Sequence, residues 1–201
     1  MATHTGDDPE AVRANRDKVS RALGIGEEWA TLTQVHGCRA VVAGDPAASE
    51  EGDALVTSAG AQPAAVLVAD CIPVALVGTT RSAVVHAGWR GLCAGVIEEA
   101  LKVLDDGAPG AWMGPGIGPC HFEVGREVAT SFAAAYPDAP DLSGERSGKL
   151  YFDLAGATRW VLRSLGVEVD DDPVPCTMCD PNLYSYRRDG VTGRQAVIVW
   201  R

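Results

Sequence analysis

Residues 65–91, AVLVADCIPVALVGTTRSAVVHAGWRG, decide how this chain folds. Ala65–Ala69 is a continuous apolar run, the pattern of a strand covered on both faces. Pro73 interrupts the pattern and Val74–Val77 resumes it. Ser82–His86 reads as another buried strand, which passes through Ala87-Gly88-Trp89-Arg90-Gly91 into a helix expected over Leu92–Leu104. Toward the N-terminus, Asp53–Thr57 reads as a strand, and Thr31–Val42 holds two short apolar pieces around Gln34-Val35-His36-Gly37. Asp8-Pro9-Glu10 supplies an N-cap, a first-turn proline and a first-turn acid. Val12, Val19 and Leu23 mark one face of the helix that follows, and Gly24 ends it. Toward the C-terminus, Ala111–Met113 and Val167–Val169 are short strands, Val124–Tyr136 and Asp153–Leu165 are helices, and Gln195–Trp200 is the last strand. Residues Asp138–Gly148 and Asp170–Pro175 are polar loops rich in proline and glycine. Interleaved strands and helices with doubly covered strands predict one layered α/β domain over residues 1–201.

Composition narrows the function. With 201 residues, 46% hydrophobic and 22% charged, the chain is an ordinary globular protein. Its 27 acidic against 17 basic residues give a net charge of −10, which repels nucleic acid and anionic membranes. Neither is expected as a partner. The polar N-terminus is no signal peptide, and the apolar stretch 64–78 carries Asp70 and Pro73 and is too short to span a bilayer. A cytoplasmic protein is expected, with a monomer as the default and its six cysteines reduced.

His36, Cys71 and His86 stand at strand ends or beside glycine, where side chains reach pockets. Two imidazoles and a thiolate suit zinc, and three protein ligands leave a fourth position open. Read alone, however, the same residues favour a buried thiol and two hydrogen-bonded histidines over a metal site. Cys176-Thr177-Met178-Cys179 is a lone CxxC that would need two more ligands, from Cys38, Cys93, Cys120 or His121, to hold a metal; packed or surface thiols are the favoured reading. Gly114–Gly118 lacks the phosphate-loop pattern and reads as a tight turn in a pocket wall. Tyr184–Gly190 carries Arg187 and Arg188 and reads equally as an anion grip or an exposed hairpin.

Taken in order, Gln34–Gly37, Ala69–Cys71, His86–Gly91, Gly114–Cys120 and Tyr184–Gly190 resemble one family over nearly the whole chain: the YfiH-like, laccase-domain or polyphenol-oxidoreductase family. The resemblance implies a layered α/β/β/α sandwich with mixed sheets, related to a toxin deamidase that uses a Cys–His pair. It implies purine nucleoside phosphorolysis with adenosine deamination, acting on purine nucleoside and phosphate. It matches His36, Cys71 and His86 to zinc ligands, with copper as the alternative metal, and gives Cys176 and Cys179 no metal. Family chains usually begin earlier, with a Thr-Arg-x-Gly-Gly-Val-Ser segment, so a strand and a pocket arginine are expected to be missing here.

On this reading Cys71, Asp70 and His86 are the catalytic candidates, with Asp70 orienting a ligand histidine or moving protons. Arg90, Arg187 and Gln34 are the substrate-binding candidates. Three other readings stand beside it. A metal-free cysteine hydrolase or deamidase would use Cys71 as nucleophile and His86 as base. Copper-dependent phenol oxidation is disfavoured by only four histidines. A non-catalytic binding protein would keep the ligands without turnover.

Overall fold

The computed structural model describes residues 5–45, 51–107 and 109–201. The chain runs α1 (Pro9–Leu23), β1 (Ala40–Val42), β2 (Ala54–Ser58), β3 (Ala64–Val68), β4 (Ile72–Val77) and β5 (Arg81–Ala87). It continues through α2 (Trp89–Cys93), α3 (Val96–Leu104), β6 (Gly110–Met113), β7 (Glu123–Val124) and α4 (Arg126–Ala135). It ends with β8 (Ser143–Arg146), β9 (Lys149–Phe152), α5 (Leu154–Ser164), β10 (Glu168–Val169), α6 (Tyr186–Asp189) and β11 (Gln195–Val199). The N-terminal punctuation works as its chemistry dictates. The Asp8 carboxylate accepts the Glu10 N–H, Pro9 opens the first turn, and Gly24 closes the helix at φ 67°.

Six strands form one sheet in the order β1-β2-β5-β4-β6-β10, parallel at its two outer pairs and antiparallel between. β3 and β11 pair antiparallel and pack on the middle of that sheet, against β4 and β5. A three-stranded β7-β9-β8 sheet lies beside α4. Strand alternation assigns the faces. On β5, Ala83, Val85 and Ala87 face a core closed by α3, α4 and α5, whereas Val84 points into a second core with Leu55, Val66 and Val199 between the sheets. All five residues of β3 are buried, as its unbroken apolar run requires. α1 is tied to this layer through Trp29, whose indole N–H donates to Ser20 and whose neighbour Ala30 bridges Ala64. The result is the expected layered α/β fold with mixed sheets.

Four local expectations are corrected. Pro73 does not interrupt its strand: β4 starts at Ile72, and β4 pairs with β6 only from Val74 onward. Its missing N–H lies on the side of its carbonyl, which accepts from Gly114 beyond the end of β6, so no ladder bond is lost. The helix expected over Leu92–Leu104 is two helices, divided where Gly95 adopts φ 86°. The helix expected from Val124 begins at Arg126, because Glu123 and Val124 pair with β9. The expected loop Asp138–Gly148 contains a hairpin strand, whose two-residue turn Ser147-Gly148 has φ 52° and 74°, the positive values a tight hairpin needs.

Candidate active site

Alternation carries two of the three candidate ligands to the face between the sheets. His86 is two residues beyond Val84 on β5, and Cys71 precedes β4 in step with Pro73 and Ala75. His36 comes from the loop before β1, at φ 60°. The donor atoms of His36, Cys71 and His86 lie within 4.8 Å of one another, with Cys71 Sγ 3.8 Å from His36 Nε2. The two imidazoles meet edge to face, 4.7 Å between centroids.

Asp53 holds them there, and the sequence reading did not single it out. One step beyond the Ala54–Val85 pair, Asp53 stands opposite His86, and its backbone carbonyl accepts the His86 N–H at 2.7 Å. Its wholly buried carboxylate accepts from His86 Nδ1 at 2.7 Å and from the backbone N–H groups of Val35, His36 and Gly37 at 3.3, 2.9 and 2.7 Å. One carboxylate therefore fixes the His86 tautomer, leaving Nε2 for a ligand, and locks the strained His36 loop. The residue expected to orient a ligand histidine was Asp70; the structure gives that contact to Asp53 instead.

Two glycines of the His86–Gly91 motif make room. A Cβ on Gly88 would stand 3.0 Å from His36 Cδ2 and 3.1 Å from Cys71 Sγ, and one on Gly91 would stand 2.7 Å from the Gly37 carbonyl oxygen. Electrostatics follow from this packing. Burial pushes the Cys71 thiol up, but hydrogen bonds and charge from His36 and His86 outweigh it and bring it down to about 6. Burial lowers His86, and Asp53 and Cys71 outweigh that and raise it to about 9.

Asp70, at φ 102°, is a hub of another kind. Its Oδ1 accepts from the Thr177 and Ser185 hydroxyls at 2.6 and 2.7 Å, and its Oδ2 accepts the Arg187 N–H at 2.7 Å. Tyr184–Gly190 is thus no hairpin: it is largely exposed, but it folds as α6 and is tied to Asp70. Ser185 caps α6, and Arg188 donates to the carbonyls of Thr177, Asp180 and Leu183. The amide of Gln34 is spent on the backbone of Leu67, donating to its carbonyl and accepting its N–H, both at 2.9 Å.

All the candidate residues line one cavity of about 1060 Å³. Arg90 and Arg187 are there, and so are Arg16 and Arg194, which sequence reasoning missed. Arg90 stacks over Trp89, and Arg187 donates to the Glu123 carbonyl and lies over Phe122. Two imidazoles and a thiolate at the cavity's edge suit a transition metal with one position left for a ligand from the cavity, and Gly88 leaves that donor set the room it needs.

Cys176 and Cys179 do not stand alone: of the four further ligands that the CxxC would draw on, the fold brings Cys120 and His121 to it. Cys120, His121, Cys176 and Cys179 place their donor atoms within 4.8 Å of one another, whereas Cys38 and Cys93 lie apart, beside Glu98 and Glu99. Among the described residues no helix is long and apolar enough to cross a membrane.

Comparison with known proteins adds three findings. A family model described as "Multi-copper polyphenol oxidoreductase laccase" matches residues 1–201. Proteins called purine nucleoside phosphorylase in Shigella flexneri and Pseudomonas aeruginosa are each 38% identical; the match takes in 100% of this chain and 85% and 84% of theirs. The crystal structure of a Neisseria meningitidis protein superposes with a TM-score of 0.88 at 36% identity, covering 99% of this chain and 84% of that one. YlmD from Geobacillus stearothermophilus gives 0.88 at 29% identity, covering 100% and 84%.

Proposed function

The chain belongs to the multi-copper polyphenol oxidoreductase laccase family, and from that premise we propose that it is a zinc-dependent purine nucleoside phosphorylase with adenosine deamination as a second activity. The observation that carries this reading is a single cavity that joins a His–Cys–His donor set to four arginines and three aromatic side chains, Trp89, Phe122 and Tyr186. Zinc, when bound by His36, Cys71 and His86, supplies a Lewis-acidic position for an oxygen ligand. The chain's own residues do the rest. Arg90 and Arg187, with Arg16 and Arg194, give an otherwise acidic protein a local positive field that binds phosphate. The aromatic faces offer a stacking surface for a purine. Asp53 orients His86, Asp70 positions Arg187 through its N–H, and Gln34 positions the end of β3 against the His36 loop. The enzyme works as a monomer in the cytoplasm.

The polyphenol chemistry in the family's description is not the reading we adopt. His36, His86 and His121 are the imidazoles of the two donor groups, too few for a blue-copper centre and a copper cluster together. One second reading has an observation of its own: a Cys71 thiol brought down to about 6 beside a His86 that Asp53 orients is the arrangement of a cysteine hydrolase.

One incubation tests the proposal. Zinc-loaded protein with adenosine and phosphate yields adenine and ribose 1-phosphate, lost in a chelated control. Inosine alone would leave deamination and refute phosphorolysis. Turnover that survives the chelator but not thiol alkylation would establish the cysteine hydrolase.

A further inference from the structure

The geometry points to a second metal centre: we propose that Cys120, His121, Cys176 and Cys179 bind a structural zinc ion that staples the Gly114–Pro119 loop to the turn that follows β10. Around a tetrahedral zinc, with Zn–S of about 2.3 Å and Zn–N of about 2.0–2.1 Å, ligand atoms stand roughly 3.5–3.8 Å apart. Here Cys120 Sγ lies 3.6 Å from Cys179 Sγ, and His121 Nδ1 lies 3.3 Å from Cys179 Sγ and 3.9 Å from Cys176 Sγ. Three of the six donor separations thus stand close to the edge lengths of a coordination tetrahedron, and all six lie within 4.8 Å.

Backbone bonds build the site rather than leave it to surface side chains. Gly116 and Cys176 form a β-bridge, Gly116 N–H donates to the Pro175 carbonyl, and Thr177 N–H donates to the Gly116 carbonyl. The Gly118 N–H donates to Cys176 Sγ at 3.2 Å, a bond that favours a thiolate. A Cβ on Gly118 would stand 3.2 Å from Cys120 Sγ. Arg146 donates to the carbonyls of Pro119 and Cys120, which sets a positive charge beside a centre whose three thiolates outweigh a divalent ion. Four protein ligands close the coordination sphere, so this centre is structural, in contrast to the three-ligand set of the cavity. A Cys120–Cys179 disulfide would use two of the four donors and leave His121 and Cys176 without a role. The staple also bears on the cavity. Thr177, between the two cysteines of the CxxC, donates to Asp70, and Ile117 of the stapled loop lines the cavity wall.

The test counts metal and does not rest on the proposed activity. Full-length protein purified under reducing conditions in zinc-containing buffer, then desalted, is analysed for zinc. Two zinc ions per chain are expected, one in Cys71→Ala, one in Cys179→Ser or His121→Ala, and none when Cys71→Ala and Cys179→Ser are combined. Cobalt titration of chelated wild-type protein gives two equivalents, one with the stronger thiolate-to-metal absorption of three sulfur ligands, and covers the case of a variant that fails to fold. One zinc per chain that disappears in Cys71→Ala would overturn the proposal. So would a protein two hydrogens lighter than its reduced mass, with the second site empty of metal.

Discussion

Replacing Asp53 by Asn is the sharpest probe of the site, because its size follows from counting donors. The carboxylate faces four N–H groups, two on each oxygen: His36 N and His86 Nδ1 on Oδ1, Val35 N and Gly37 N on Oδ2. An amide keeps one acceptor oxygen and turns the other end into a donor that confronts N–H groups. With the amide nitrogen toward Val35 and Gly37, two part-buried N–H groups lose their acceptor; turned the other way, His86 changes tautomer to accept and the His36 N–H alone loses its acceptor. Hydrogen bonds to a charged group contribute about 1.5–3 kcal/mol each, so the loss is roughly 1.5–6 kcal/mol. At its upper end that is a large share of the roughly 5–15 kcal/mol typical of a whole domain. Zinc affinity should fall by about 10–100-fold as well, as it does when the partner of a ligating histidine is removed. Asp70→Asn is the control. Its Oδ1 faces two hydroxyls, which rotate to accept from an amide, while the amide oxygen keeps the Arg187 N–H. That variant should lose no more than about 1 kcal/mol. Urea unfolding of metal-free protein, with zinc affinity from competition against a chromophoric chelator, measures both. Equal stability of the two variants, or Asp53→Asn within 1 kcal/mol of wild type, would refute the reasoning.

Further predictions concern the cavity and its ligands. Arg90→Ala and Arg187→Ala each remove a charged hydrogen-bond donor for phosphate, and should raise the KM for phosphate about 10- to 150-fold with zinc content unchanged; loss of zinc instead would make them structural. Gly88→Ala drives a methyl against His36 and Cys71 and should weaken metal binding while unfolding by urea moves by about 1–3 kcal/mol. Acid should expel the metal. Binding displaces a proton from His86, raised to about 9, so apparent affinity falls as pH drops below that value, and it falls more steeply below about 6, where Cys71 is protonated too. A pH-independent affinity between 5 and 8 would contradict this.

What the sequence could disclose was local. Asp8, Pro9 and Gly24 fix α1 by their own backbone chemistry, and the unbroken apolar run of β3 declares its burial, so both were legible. His36, Cys71 and His86 were legible as a candidate set from their strand-end positions, and the family resemblance strengthened that reading; their convergence depends on which face of β4 and β5 meets β3. Asp53 was hidden for the same reason. It is one acid at the head of an apolar strand, and only the β2–β5 register sets it opposite His86. The pairing of Cys120 and His121 with a CxxC more than 50 residues away depends on the Gly116–Cys176 bridge, a tertiary contact with no local mark. The Ser147-Gly148 turn was local and could have been read, since a Ser-Gly pair tolerates positive φ at the hairpin positions.

The central claim is that metal held by His36, Cys71 and His86 drives phosphorolysis. The direct measurement strips the protein with a strong chelator, restores zinc or copper stepwise, and follows adenine released from adenosine with and without phosphate. The account predicts no adenine from stripped protein, recovery with zinc, and no recovery without phosphate. Stripped protein that releases adenine at the full rate, or zinc-restored protein that needs no phosphate, would contradict it.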